Sequence, residues 1–173
     1  RDPSFDIEEI AHALGMMCRF NGHTRHFYSV AEHSVIVSLL MQELRLGDPW
    51  EGLFHDGVEA YIPDMVAGWK NECKGWKEFE GGVDASMRDQ LHMPPSKTYG
   101  CQQADRIAFY IEYNYLTAPD KITHHHDGGS DDELQRIARK LIAEGWRTMN
   151  LYPKEATAAF LKRYNELGGV RHG

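Results

Sequence analysis

The sequence predicts an all-α fold, a compact bundle of about seven helices. Three observations carry this. Apolar residues recur three and four positions apart in nearly every segment, several of these stripes begin at a capping residue, and no stretch alternates with the period of two that a strand requires. The 173 residues, without an internal repeat or a linker, fit one domain spanning 1–173.

The elements follow in order. Asp6 with Glu9 reads as a capping box, and Ile7, Ile10, Ala11, Leu14, Met17 and Cys18 share a face, so the first helix is expected over about 7–18. Residues 19–28, RFNGHTRHFY, are too polar and broken for a helix and read as a loop. Ser29 with Glu32 opens a second capping box, followed by Val30, His33, Val37, Leu40 and Leu44, which predicts a core helix over 30–46. Asp48, Pro49 and Glu51 supply a cap, a first-turn proline and a matching acid, and the stripe Trp50, Leu53, Phe54, Gly57, Tyr61 carries a third helix to about Tyr61, before Pro63.

Asp64 can cap a short segment through Trp69 and Lys74. Trp76, Phe79, Val83, Met87 and Leu91 mark another helix, weakened by Gly81 and Gly82. After the break at 93–96, Ser96 can start a long helix with Ala104, Ile107, Ala108, Ile111 and Tyr115 inward, ending before Pro119. Residues 121–132 read as a polar loop. Leu134, Ile137, Leu141 and Trp146 predict one further helix, and Ala156, Phe160, Tyr164 and Leu167 the last, closed by Gly168 and Gly169.

Composition narrows the function. A net charge of −7 argues against long nucleic-acid duplexes as partners and leaves room for a small anion held by a local Arg/Lys cluster. Cys18, Cys73 and Cys101 form no CxxC, which points to a reducing compartment and to buried free thiols. No apolar stretch approaches the roughly 20 residues needed to cross a bilayer, so neither a membrane partner nor a signal peptide is expected, and the expected compartment is cytoplasmic. A homo-oligomer is expected, with Trp69 and Trp76 either in the core or at a symmetric interface.

The chemistry begins at GLFHDGVEAY, residues 52–61, where His55, Asp56 and Glu59 interrupt an apolar helix. Ionisable groups at the edge of a core cost stability unless something neutralises them. His33 and Asp105 raise the same problem on two other apolar stripes, so a metal ion drawing all four together is one answer. A set of two imidazoles and two carboxylates suits Zn²⁺, Co²⁺, Mn²⁺, Ni²⁺ or Fe²⁺ better than Mg²⁺. Glu59, one turn beyond His55 on a continuous helix, is placed for general acid/base work, and Arg19, Arg25, Lys70 and Lys74 are the local cations for a phosphate. His23 and His26 can line an entrance. The triple His124–His126, in a Gly-rich loop without partnered cysteines, reads as solvated. HDxxE is not the HExxH of zinc proteases, and no GxxxxGK[ST] or GxGxxG occurs.

RFNGHTRHFYSVAEHS, LFHDGVEAYIPD and QQADRIAFY together resemble the HD-domain phosphohydrolase superfamily, over about Arg19 to Tyr115. Within it the chain looks most like the small phage-type dATP triphosphohydrolases and the bacterial 5′-deoxynucleotidases. The resemblance implies His33, His55, Asp56 and Asp105 as metal ligands, Glu59 as catalytic acid, Asp64 as a second acid near the site, and Arg19 as the phosphate-binding arginine. Phe20 stands where relatives often carry tryptophan against the nucleoside. The implied activity is hydrolysis of dATP to deoxynucleoside and a phosphate chain, in the host cytoplasm if phage-encoded, with additional Mg²⁺ or Mn²⁺ on the substrate phosphates. The alternatives are a 5′-deoxynucleotidase acting on monophosphates and a non-catalytic nucleotide-binding module.

Overall fold

The computed structural model describes residues 4–62, 72–116 and 132–169. Among the described residues the chain forms seven α-helices: α1 (Ile7–Met16), α2 (Val30–Glu43), α3 (Pro49–Phe54), α4 (Trp76–Gln90), α5 (Tyr99–Leu116), α6 (Asp132–Ala143) and α7 (Pro153–Glu166). Two 3₁₀ turns, Arg19–Gly22 and Gly57–Ala60, complete the regular structure. The extended pairing found among these residues is a single bridge between Cys18 and Ser29. The expected helical bundle is therefore observed, and no described helix is long and apolar enough to cross a membrane.

α2 is the axis of the molecule. It is buried nearly all round, its polar Glu32, His33, Ser34 and Ser38 included. Val30, Ala31 and Val35 face a cluster built with Ile10, Leu14, Trp50, Phe54 and Phe160 from α1, α3 and α7. Ile36, Val37, Leu40 and Met41 face a second cluster with Ile107, Ile111 and Leu141 from α5 and α6.

The helix ends depart from expectation for local reasons. α1 stops at Met16 because Met17 is extended (φ −84°, ψ 125°) and Cys18 pairs with Ser29. α2 stops at Glu43: Arg45 takes a left-handed conformation (φ 53°), and the Leu46 N–H reaches back to the Met41 carbonyl at 2.9 Å, closing a Schellman turn. The same closure, from Trp146 N–H to the Leu141 carbonyl, leaves Trp146 beyond α6 yet packed on the second cluster. α5 begins at Tyr99 rather than near Ser96, because Thr98 Oγ1 accepts the Cys101 N–H at 3.2 Å. Gly81 and Gly82 do not interrupt α4. Of the three thiols only Cys101 is buried; Cys18 and Cys73 are exposed, contrary to the expectation of buried cysteines.

Two expected capping boxes are only half formed. Ser29 Oγ accepts the Glu32 N–H at 3.0 Å, but the Glu32 carboxylate turns away to accept the N–H groups of Met149 (2.6 Å), Asn150 (3.0 Å) and Leu151 (2.9 Å). Glu51 likewise leaves its own helix and accepts from the N–H and hydroxyl of Thr98, at 2.9 and 2.6 Å. Both acids tie distant segments together instead of finishing a helix end.

Candidate metal centre

Three helices meet where α2, the end of α3 and the middle of α5 converge. α2 presents His33 one turn after its Ser29 cap. α3 lies close against α2 because Gly52 has no side chain: a Cβ there would stand 2.9 Å from Ser38 Cα and 2.8 Å from Met41 Sδ. The helix then ends at Phe54, and Asp56 leaves helical geometry (φ −111°, ψ 15°). The predicted continuous helix to Tyr61 is thus incorrect, since the chain breaks at the His-Asp pair itself. That break lets two neighbouring side chains point at one place, which an unbroken helix would set about 100° apart.

The ligand-type atoms are close. His33 Nε2 and His55 Nε2 are 3.1 Å apart. Asp105 Oδ1 lies 3.2 Å from His33 Nε2 and 3.8 Å from His55 Nε2. Asp56 Oδ2 lies 3.1 Å from His55 Nε2 and 3.6 Å from His33 Nε2. Ligand atoms of His33, His55 and Asp105 fall within 4.8 Å of one another, a spacing that can hold a metal ion.

The outer nitrogens decide what these atoms are. His55 Nδ1 donates to the Gly52 carbonyl at 2.8 Å, and a carbonyl can only accept, so the proton sits on Nδ1 and the Nε2 lone pair points inward. His33 Nδ1 pairs in the same way with the buried Glu112 carboxylate. With both imidazoles neutral, two lone pairs and two carboxylates would face one another with no hydrogen among them, an arrangement that a proton or a metal cation relieves. A divalent ion fits this donor set, with its imidazoles already oriented by outer partners. In the ion-free protein a proton does the work. Burial and Arg19 press His33 toward neutrality, but Glu112 and Asp105 outweigh them, and its pKa is pushed up to about 9. Burial would raise the Asp56 and Asp105 carboxyls, yet the imidazoles, with Lys97 in the case of Asp56, hold both well below the usual carboxylate range.

A cleft of about 520 Å³ opens on the centre, lined by Arg19, Glu59, Lys77 and Lys97 together with His55, Asp56 and Asp105. The bridge between Cys18 and Ser29 closes the 19–28 loop, and Arg19 N–H donates to the Tyr28 carbonyl at 2.9 Å, which aims Arg19 inward. Its guanidinium lies 3.5 Å from Asp56 Oδ2 and 3.3 Å from Glu112 Oε2. Burial opposes the Arg19 charge, but these carboxylates more than restore it. Lys97 Nζ donates to Asp56 Oδ1 at 2.9 Å. Glu59, in the 3₁₀ turn, reaches the cleft without the helical stacking expected of it.

The chain belongs with known proteins in one respect that can be measured. It is 34% identical to "Uncharacterized protein YfdR" of Escherichia coli (strain K12) over 166 residues, covering 95% of this chain and 85% of that one. The chain belongs to the YfdR family. A second relative, "Uncharacterized protein RCAP_rcc00048" of Rhodobacter capsulatus, is 29% identical over 177 residues, covering 94% of this chain and 85% of its own. No family model matches the chain.

Other expected site residues of this YfdR-family chain stand apart. Arg25, His23 and His26 are exposed and do not line the cleft, and neither does the exposed Lys74. Among the described residues, Lys77 and Lys97 rather than Lys74 are the lysines that line the cleft. Phe20, at a left-handed φ of 55°, sits between the Arg19 guanidinium (5.4 Å) and the Phe109 ring (5.9 Å), beside the cleft rather than on its lining. Asp64, Lys70, Trp69 and His124–His126 lie outside the described residues. Sequence reasoning missed Glu112, although an acid seven positions after Asp105 on the same apolar stripe carried the signal that selected Asp105. Lys97 had no such signal, because its approach depends on how the loop before α5 folds back.

Proposed function

We propose that this protein is a metal-dependent phosphohydrolase acting on deoxynucleotides. The observation that supports it is the convergence of His33, His55 and Asp105 on one point, with Asp56 Oδ2 against both imidazole Nε2 atoms and both Nδ1 atoms already committed elsewhere. A divalent ion at such a centre supplies Lewis-acid polarisation of a phosphoryl oxygen and acidifies water. The residues around it have separable tasks. Arg19 and Lys97, both held in the charged form by neighbouring carboxylates, bind and orient the phosphate and face its developing negative charge. Glu59 takes a proton from the attacking water or returns one to the leaving oxygen. The closely packed α2, α3 and α5 keep bulk water from the inner side of the imidazoles.

The resemblance to phage-type enzymes makes dATP the first substrate to test. One observation favours the second reading, a 5′-deoxynucleotidase. Among the described residues lining the cleft, the cations Arg19, Lys77 and Lys97 face five carboxylates: Asp56, Glu59, Glu80, Asp84 and Asp105. Adding a divalent ion only balances these charges, which suits a monophosphate better than a triphosphate. Purified protein incubated with Co²⁺ or Mn²⁺ and each dNTP and dNMP, with products resolved by chromatography, separates the readings. Release of deoxynucleoside from dATP supports the triphosphohydrolase, turnover confined to monophosphates supports the nucleotidase, and no turnover of any deoxynucleotide rejects both.

A further inference from the structure

We infer that Glu112 is a positioning residue that couples ion binding to phosphate binding, its Oε1 orienting His33 and its Oε2 holding Arg19. The inference rests on the reading of the cleft as an ion-and-phosphate centre. Glu112 is 0% exposed and lies two turns beyond Asp105 on α5. Its Oε1 accepts from the His33 Nδ1–H and, at 2.9 Å, from the Tyr28 hydroxyl. Its Oε2 and Arg19 Nε are both buried without a hydrogen-bond partner, yet stand 3.3 Å apart as an ion pair. One anion therefore faces the outer nitrogen of a ligand histidine on one side and the arginine of the cleft on the other.

Two consequences follow from a single buried charge. A carboxylate behind an imidazole fixes its tautomer and strengthens the inward lone pair, and loss of such a partner typically weakens metal affinity about 10- to 100-fold. The same charge restrains Arg19, whose other ion-pair partner among the described residues is Asp56, onto which it would be drawn further. A neutral isostere cannot serve both sides. The Gln amide oxygen can still accept from His33, but its NH₂ must then face the guanidinium, placing donor against donor.

Glu112→Gln tests this, with Co²⁺ affinity read by competition against a chromophoric chelator and inorganic phosphate affinity read on the Co²⁺-saturated protein. The expected result is a loss of Co²⁺ affinity of about 10- to 100-fold together with weakened phosphate binding. Tyr28→Phe, which leaves the charge in place, should lower thermal stability while keeping Co²⁺ affinity within about threefold of wild type, a change worth under 1 kcal/mol. A folded Glu112→Gln protein that binds Co²⁺ and phosphate like wild type overturns the inference. Should that variant not fold, the wild-type protein decides. In ¹⁵N-resolved spectra of the Zn²⁺-loaded protein, the His33 Nδ1–H resonance should be strongly deshielded and should shift when inorganic phosphate is added. A resonance insensitive to phosphate overturns the coupling. Wild-type protein that binds Co²⁺ but hydrolyses no deoxynucleotide defeats the proposed function alone, since the Co²⁺ and phosphate measurements still judge Glu112. Wild-type protein that binds no Co²⁺ defeats both.

Discussion

His55 and Asp56 are neighbours in sequence and reach the same point in space because α3 ends between Phe54 and the pair. Each imidazole uses one nitrogen for the scaffold and leaves the other facing inward, so under the proposed function the candidate ligands and Glu59 can be altered separately. Glu59→Ala should leave Co²⁺ affinity unchanged while turnover falls about 10²- to 10⁴-fold, the usual contribution of a general acid or base. A rate equal to wild type would remove Glu59 from the mechanism. The protonated His33 of the ion-free protein makes a second prediction. Its pKa in the folded protein, about 9, is above the ordinary 6.5, so the stability it contributes is fully present below 6.5 and lost as pH rises through about 9. Protein stripped with a chelator should therefore melt at a progressively lower temperature across that window. Co²⁺-loaded protein, whose His33 is neutral, should not share the decline, and parallel melting curves with and without Co²⁺ would contradict this. On the acid side the depressed carboxyls of Asp56 and Glu112 act in the opposite sense, losing their contribution as pH falls through their folded values.

At the scale of elements, the crossing of α2 and α3 sets the distance between His33 and His55. Gly52 permits that crossing and also supplies the carbonyl that orients His55. Gly52→Ala should destabilise the protein by about 1–3 kcal/mol, as overpacking does, and should weaken Co²⁺ binding in the folded fraction. Urea melts and chelator competition check both, and a neutral substitution would show that the helices can part without harm. The helices themselves were legible, because caps and apolar stripes are local signals. Asp6, Ser29 and Asp48 do accept N–H groups of the first turns that follow them. Legibility failed where a side chain had a better partner far away in sequence. Glu32 and Glu51 read as capping acids and serve residues 149–151 and Thr98 instead, and the break at His55 was hidden because its apolar stripe continues to Tyr61.

For the molecule as a whole, the all-α architecture follows from α2 lying between two apolar clusters, so neither half of the bundle is complete without it. The four ligand-type residues could be picked out because each is polar on an otherwise apolar stripe; the structure brings His33, His55 and Asp105 within ligand spacing of one another and sets Asp56 against the two imidazoles. The surrounding cations were less legible. Lys97 acts through a loop, and the expected Arg25 and Lys74 face solvent, since nothing in the spacing of a surface lysine tells which way its segment turns. The carboxylate of Glu32 joins the residue beside His33 to the backbone just before α7. During synthesis on the ribosome, that anion has no mate until residues 149–151 have emerged from the exit tunnel. α2 is therefore sealed into place only by backbone made more than a hundred residues after it.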